Sequence, residues 1–152
     1  MVASDNGEEK ETYRRALTCS QDQDTLTRYL KYSLDTNIID SQYAYDVIRH
    51  VAWRSRLGRE LAWTFFVDNF DTIKERDADG FLMLIIVDSI TENMRSQDEV
   101  DKLQKFFDDN KQDIGDDAHL FDTAFNKAYS NKIWVDKNLG ELRDWLQNNS
   151  AD

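Results

Sequence analysis

The chain has 152 residues, with five Gly, no Pro, and 30 acidic against 19 basic side chains. This length fits one domain with a core of its own. An all-β fold is disfavoured, because such folds need many turns and the residues that make turns are scarce here. The formal charge of −11 would repel a phosphate backbone or an anionic membrane surface, so nucleic acid is not an expected partner.

Membrane insertion and a disulfide framework are also not expected. The longest apolar run covers residues 81–87, far short of the ~20 residues that cross a bilayer. The start of the chain lacks the basic and apolar regions of a signal peptide. Cys19 is the single cysteine, which excludes an internal disulfide but fits either redox compartment.

Apolar residues recur at helical spacing along almost the whole chain. Residues 1–7 lack this periodicity and are expected to be a disordered tail, whereas residues 8–150 are predicted to form a single helical domain. The predicted helices are, in chain order, 8–17, 22–34, 41–54, 58–76, 79–93, 97–110, 117–130 and 132–147.

Two helix starts have the spacing of a capping box. Ser20 with Gln23, and Ser96 with Glu99, place a hydroxyl three residues before a side chain that can reach back to the cap. These pairs predict where the second and sixth helices begin.

The segment 81–87 is apolar enough for a buried strand. It continues at four-residue steps to Met94, and a single strand would have no partner, so a helix is preferred. Gly80 and Gly115 fall in short polar gaps where a glycine can turn the chain. Helix pairs begin near residues 22, 58 and 97, which predicts an all-α stack of antiparallel helical hairpins.

No residue pattern supports catalysis or metal binding. His50 and His119 are far apart in the chain and neither lies in an H-E-x-x-H sequence, so both are interpreted as surface or cap histidines. Cys19 is expected to be a buried or boundary thiol. The acidic gap 77–80 resembles a calcium loop, but Ile86 stands where the bidentate Glu is needed, so an ordinary turn is preferred.

One basic cluster stands out in this acidic chain: Arg49, His50, Arg54, Arg56 and Arg59. Guanidinium groups bind carboxylates through two parallel hydrogen bonds, so the cluster could hold a peptide carboxylate. The alternative is that these arginines pair with neighbouring acids or extend into solvent.

Three stretches, in order, resemble a known family. They are RALTCS at 15–20 followed by LTRYLKYSL at 26–34, GRELAWTFFVDNF at 58–70, and NKIWVDKNLGELRDWL at 131–146. Together they are similar to the C-terminal helical domain of zinc aminopeptidases of the aminopeptidase N and endoplasmic-reticulum aminopeptidase type. Phe70 stands where that family usually has Trp.

The resemblance implies a fragment of a right-handed, armadillo- or HEAT-like superhelix of about eight helices. In the family, peptide hydrolysis belongs to an upstream zinc domain, whose H-E-x-x-H and Gly-Ala-Met-Glu-Asn sequences are absent from this chain. The resemblance therefore implies no catalytic residue and no cofactor here. The expected partners are that catalytic domain and the peptide substrate, because the family's C-terminal domain closes over the catalytic site, shapes the peptide cavity and in several members contributes to dimerisation.

The resemblance also singles out Arg54, because the family often has a basic residue directed toward the cavity just before the GxxLAW sequence. Residues 55–57 depart from the usual family turn at this point.

A different class of function stays open, a free-standing helical-repeat module that binds a protein partner. Upstream helices would cover one face of the stack, so its exposure here makes self-association plausible. The compartment is undetermined, since family members occur as membrane-anchored ectoenzymes, in the endoplasmic reticulum and in the cytosol.

Overall fold

A computed structural model describes residues 7–77 and 81–149. All regular structure in these two ranges is helical, so the all-α prediction is confirmed. No helix in the described ranges combines the length and the hydrophobicity that a membrane crossing requires. Gly7, predicted to lie in the tail, is the first residue of a helix, and the rest of that predicted tail lies outside the described residues.

The eight described α-helices are numbered in chain order. Their bounds are α1 Gly7–Leu17, α2 Gln23–Tyr32, α3 Ser41–Arg54, α4 Arg56–Asp68, α5 Phe70–Arg76, α6 Phe81–Thr91, α7 Gln97–Ile114 and α8 Ala118–Asn149, with a 3₁₀ turn at Gly115–Asp117. The preference for a helix over a strand at 81–87 is confirmed.

The chain forms two compact units, Met1–Ile90 and Thr91–Asp152. In the first unit, α3 packs on α4, α2 packs on both, and α1 packs on α3. The interior of this packing is formed by apolar side chains of α2, α3 and α4 with less than a tenth of their surface exposed. They include Leu26, Leu30, Val47, Ile48, Val51, Ala52, Ala62, Phe65 and Phe66.

Two predicted helix starts in the first unit differ from the structure. The hydroxyl of Ser20 accepts from the backbone N–H of Asp22, and it is the Asp22 carboxylate that caps α2 by accepting from Thr25 N at 2.8 Å. The second difference concerns α4, which was predicted to start at residue 58. It begins at Arg56, because the Ser55 hydroxyl caps the helix by accepting from Gly58 N at 2.9 Å.

The predicted helix 58–76 is two helices in the structure. α4 ends at Asp68 and α5 begins at Phe70, with Asn69 between them. Asn69 leaves the helical conformation, with φ −123° and ψ 19°, and its side-chain amide donates to the carbonyl of Phe65 at 2.8 Å. The apolar spacing that predicted one helix continues across this break, since Phe66 and Phe70 meet edge to face.

In the second unit, α7 packs on α8 through the turn at Gly115. The predicted capping box is confirmed, with Ser96 and Glu99 each bonded to the other's backbone N–H. Gly115 has a φ of +55°, which confirms the turn predicted there, whereas the Gly80 turn lies outside the described residues.

The predicted helices 117–130 and 132–147 are one continuous helix, α8. The break predicted at residue 131 is not found, and the Asn131 amide donates to the carbonyls of Glu92 and Met94, at 2.9 and 3.3 Å. This side chain therefore ties α8 to the segment that precedes α7. The single domain over 8–150 and the right-handed superhelix stay predictions.

Candidate functional site

A groove of about 600 Å³ lies between α1, the turn after it, and α3. We call it the α1–α3 groove. α1 contributes Thr12, Arg15 and Ala16, the turn after it contributes Thr18 and Cys19, and α3 contributes Arg49, His50, Trp53 and Arg54. Three of these residues are arginines and none is acidic, so the groove is locally basic in a chain of net charge −11.

α1 is held against α2 and α3 by polar and cation–π contacts, since none of its own residues is buried. The Tyr29 hydroxyl donates to the carbonyl of Arg14 at 3.1 Å, and burial raises the pKa of Tyr29 to about 12. The Arg14 guanidinium lies 4.1 Å from the centre of the Tyr43 ring on α3. These contacts fix one wall of the groove.

Arg49 is anchored within α3. Its Nη2 donates to the Asp46 carboxylate at 2.7 Å, and its guanidinium lies 5.2 Å from the Trp53 ring. The Arg49 Nε is buried and has no hydrogen-bond partner. The unpaired donor of Arg49 is therefore enclosed by the protein, and the Asp46 carboxylate partly neutralises the charge of the guanidinium.

Arg54, the residue singled out from the sequence, is the last residue of α3 and lines the groove. Its side chain is exposed, and it forms no hydrogen bond or ion pair with any other residue of 7–77 or 81–149. Because a guanidinium offers five N–H donors, this side chain can bind an incoming carboxylate without first breaking an internal ion pair.

The other two arginines of the predicted cluster lie elsewhere. Arg56 is on α4 and pairs with Glu60 at 2.9 Å, with 83% of its side chain exposed. Arg59 is buried, at 8% exposure. Neither lines the α1–α3 groove. The sequence cluster is thus divided, because consecutive helical residues point in different directions and a new helix begins after Ser55.

His50 is more buried than a surface histidine, with 11% of its side chain exposed. Its Nε2 lies 3.9 Å from a carboxylate oxygen of Glu11 on α1, and its buried Nδ1 has no hydrogen-bond partner. Burial lowers the pKa of His50, and the adjacent Arg49 lowers it further. For Glu11, burial raises the pKa, but hydrogen bonds from Arg14 and Arg15 outweigh it and leave the pKa below its usual value.

The prediction for Cys19 is wrong, because its thiol is exposed rather than buried. The residue lies in the turn after α1, where Thr18 is the buried residue and Cys19 is exposed. His119 fits its predicted surface position, since it is exposed and its Nδ1 lies 2.9 Å from the carbonyl of Asp116.

Two groove residues were not predicted from the sequence, Arg15 on the α1 wall and Trp53 on the α3 wall. Arg15 pairs with Glu11 at 2.8 Å and lies 34 positions before Arg49 in the sequence. Its contribution depends on α1 packing against α3, and no short pattern in the sequence connects these two helices. The exposed indole of Trp53, which is adjacent to Arg54, was recognisable only as one more aromatic residue.

The resemblance places zinc in the family's catalytic domain. In residues 7–77 and 81–149, no three His, Cys, Asp or Glu side chains come together in a metal-binding arrangement. His50 and Glu11 lie 3.9 Å apart, but this pair is surrounded by Arg14, Arg15 and Arg49. Such a cationic setting disfavours a divalent ion.

Sequence comparison with known proteins identifies the family of this chain. The sequence matches the ERAP1-like C-terminal domain over residues 2–129. It is 34% identical over 139 residues to human (Homo sapiens) thyrotropin-releasing hormone-degrading ectoenzyme, covering 91% of this chain and 13% of that protein. It is 30% identical over 146 residues to aminopeptidase Ey of Gallus gallus, covering 94% and 15%.

A third relative is endoplasmic reticulum aminopeptidase 2 of Bos taurus, 28% identical over 142 residues, covering 93% of this chain and 15% of that protein. The chain thus spans about 13 to 15% of the length of these curated relatives. The resemblance inferred from three sequence stretches is confirmed, and the chain belongs to the ERAP1-like C-terminal domain family of aminopeptidases.

Proposed function

We propose that this chain is the non-catalytic C-terminal domain of a zinc aminopeptidase, that it packs on the catalytic part, and that Arg54 in its α1–α3 groove binds a carboxylate of the peptide substrate. Capping of the catalytic site, a share in the peptide cavity and self-association belong to the same proposal. The observation that supports the peptide contact is the exposed Arg54 guanidinium, which has no partner among the residues that the structure describes.

The charges around Arg54 favour a carboxylate over other ligands. Arg49 and Arg15 face the same groove but each is already paired with an acid, so their positive charge is partly neutralised. Arg54 is left with its full set of donors, and the lining residues include no acid that would repel a carboxylate. The exposed indole of Trp53 beside it gives a peptide side chain an apolar surface to contact.

A peptide titration of the purified chain tests this contact. A short peptide with a free C-terminal carboxylate is compared with the same peptide carrying a C-terminal amide, and binding is followed by calorimetry. A hydrogen bond to a charged group contributes about 1.5–3 kcal/mol, so Arg54→Ala should weaken binding of the free acid roughly tenfold or more. The amidated peptide should bind both proteins equally weakly.

Arg56→Ala is the matched control, because it removes the same charge two residues away but outside the groove. Binding of the free acid to this variant should stay within about twofold of the parent chain, since exposed charge pairs contribute little. Equal losses in both variants would show that only net charge matters, and the peptide contact at Arg54 would be withdrawn.

The absence of catalysis is tested separately. The purified chain, supplied with zinc and aminoacyl-amide substrates, should give no turnover, whereas genuine zinc-dependent turnover would contradict the proposal. In an intact parent enzyme, Arg54→Ala should change the KM or the length preference for peptides while leaving the unfolding temperature unchanged. Unchanged kinetics across peptide lengths would remove the proposed role of Arg54.

The second candidate is a free-standing helical-repeat module that binds a protein partner. It is favoured by the large exposed apolar side chains on α8, Trp134, Leu142, Trp145 and Leu146. The sequence encoded upstream of residue 1 separates the two readings, because an H-E-x-x-H sequence there supports the aminopeptidase domain and its absence supports the module.

A further inference from the structure

His50 and Arg54 lie four residues apart on α3, and both line the α1–α3 groove. Residues at this spacing are neighbours on one helix face, with about 5–6 Å between their Cβ atoms. A carboxylate that binds to Arg54 in the groove would therefore lie within about one helical turn of the His50 imidazole. The proposed function uses Arg54 but gives the imidazole no role.

The imidazole of His50 lies where a second proton finds no acceptor among the described residues. Its Nδ1 is buried without a hydrogen-bond partner, and its Nε2 lies 3.9 Å from the Glu11 carboxylate, beyond hydrogen-bond length. Because 11% of the side chain is exposed, water stabilises a charge there only weakly. The surroundings of His50 therefore oppose its protonation.

The acids that favour a proton on His50 are Glu11 on α1 and Asp46 on α3. Each of them is already bonded to arginine, which reduces its effect on the imidazole. Four guanidinium groups lie on this part of α1 and α3 against two carboxylates, and protonation of His50 would add a fifth cation. The four arginines are Arg14 and Arg15, which pair with Glu11, Arg49, which pairs with Asp46, and Arg54.

The other two helices that pack on α3 do not supply the missing negative charge. α2 directs the Tyr29 hydroxyl toward α1, and this group stays neutral because burial raises its pKa to about 12. α4 approaches α3 through Gly58. The charged residues of these two helices do not line the groove: Asp24, Arg28 and Lys31 on α2, and Arg56, Arg59, Glu60 and Asp68 on α4.

We propose that His50 couples carboxylate binding in the α1–α3 groove to the uptake of a proton, so that the groove binds a peptide carboxylate more tightly in weakly acidic solution than at neutral pH. The inference rests on the proposed function and adds the regulation of the same site. A carboxylate at Arg54 brings the negative charge that His50 lacks, so it raises the pKa of the imidazole. Because such coupling is reciprocal, a proton on His50 strengthens carboxylate binding by the same factor.

The direction of the effect follows from the groups that titrate. Burial, and then Arg49, lower the pKa of His50 below 6.5, so the imidazole is neutral at about pH 7.5. A C-terminal carboxylate stays ionised down to about pH 5, and so does Glu11, whose pKa is held below 4.5. Among the residues that line the groove, His50 is the one whose ordinary pKa lies between these two pH values.

Titration calorimetry of the 152-residue chain at about pH 7.5 and about pH 5 tests the coupling. The probe is a short peptide with an acetylated N-terminus and no ionisable side chain, so that its C-terminal carboxylate is its single charge. The parent chain should bind this peptide at least about threefold more tightly at the lower pH. The same peptide with a C-terminal amide is the ligand control and should show no gain.

His50→Gln should reduce the gain at low pH to about 1.5-fold or less, because the amide side chain does not titrate. A small gain can remain in this variant, since other acids of the chain lose charge at low pH in both proteins. His119→Gln is the matched control. It removes the other histidine, which is on α8 in the second unit, and should keep the full gain.

Proton NMR of the parent chain gives a second readout that needs no substitution. The chain has two histidines, so the exposed ring of His119 is an internal reference. With the free acid bound, the titration of the His50 ring should move to higher pH, whereas that of His119 should stay in place.

Two different failures can be told apart. An unmoved His50 titration, or an equal gain in His50→Gln and the parent, would overturn the proton coupling even if the chain still prefers the free acid to the amide at neutral pH. A chain that does not distinguish the free acid from the amide at neutral pH would overturn the Arg54 contact itself, and the coupling with it.

Discussion

Gly58 at the start of α4 lies directly against the backbone carbonyl of Val51 on α3. A Cβ atom at position 58 would overlap both the carbonyl oxygen and the carbonyl carbon of Val51. The contact is with backbone, so a side-chain rotation cannot relieve it. The absence of a side chain at Gly58 therefore sets how closely α3 and α4 approach, and these two helices carry much of the core of the first unit.

We expect Gly58→Ala to lower the free energy of unfolding by about 2–3 kcal/mol, because the added methyl group must push α3 and α4 apart in a well-packed core. Urea unfolding followed by circular dichroism measures this loss. An unchanged or raised midpoint would show that the helices separate at little cost.

Gly140→Ala is the opposite control. Gly140 is in the exposed part of α8, and a Cβ atom built there meets nothing within 4 Å. Alanine in an exposed helix interior is favoured over glycine by about 0.5–1 kcal/mol. The same chemical change should therefore stabilise one position and destabilise the other, which rules out a general effect of Gly→Ala on the unfolded chain.

Much of the fold follows from patterns that act over short distances along the chain. Helical spacing predicted the helices, and the Ser96–Glu99 box and the Gly115 turn were found where the sequence indicated. Two of the errors concern asparagines. Asn69 lies between α4 and α5, whereas α8 continues through Asn131, whose amide donates to the carbonyls of Glu92 and Met94. Asn138 makes the same bond to its own helix as Asn69 does, yet α8 continues there, so the local sequence does not decide whether a helix ends at an Asn.

The candidate site was predictable only in part. Arg54 was identified from its sequence, and the structure places it on the α1–α3 groove. Arg15 and Cys19 come from another helix and the turn after it, so they could not be joined to Arg54 before α1 was placed. Conversely, Arg59 is close to Arg54 in the sequence, but it is buried and does not line the groove. Closeness in sequence identifies candidate charged residues, but the packing of the helices determines which of them lie on one surface.

Ser96→Ala should lower the free energy of unfolding by about 1 kcal/mol, the typical contribution of an N-terminal cap. The change removes the hydroxyl that accepts from Glu99 N and leaves the first turn of α7 with an unpaired donor. Ser20→Ala is the control, because Ser20 was predicted to cap α2 but Asp22 does so. A loss at Ser20 as large as that at Ser96 would contradict this assignment.

Asn131→Ala should destabilise the second unit by about 1–3 kcal/mol, because the partly buried carbonyls of Glu92 and Met94 would lose their shared donor. Thermal unfolding checks the size of the effect. Asn138→Ala makes the same change one heptad later, where the amide bonds only to the carbonyl of Trp134 in its own helix. That variant should lose less than about 0.5 kcal/mol, so similar losses in the two variants would exclude a special role for Asn131.

His50 should make the stability of the first unit depend on pH. Burial and the adjacent Arg49 lower its pKa in the folded chain below the usual 6.5, against the opposing influence of Asp46 on α3 and Glu11 on α1. The unfolded chain then binds the proton more readily than the folded chain does. Stability is therefore complete above about pH 6.5 and is lost as the pH falls below it.

Urea unfolding at about pH 7.5 and about pH 5.5 measures this loss. The parent chain should be less stable at the lower pH, and His50→Gln should reduce the difference because its side chain does not titrate. Glu11 does not interfere, since its pKa is held below 4.5 and its protonation begins at lower pH. Equal pH dependence in the parent and the variant would mean that the folded chain accepts a proton on His50 without cost, in spite of its burial and the guanidinium beside it.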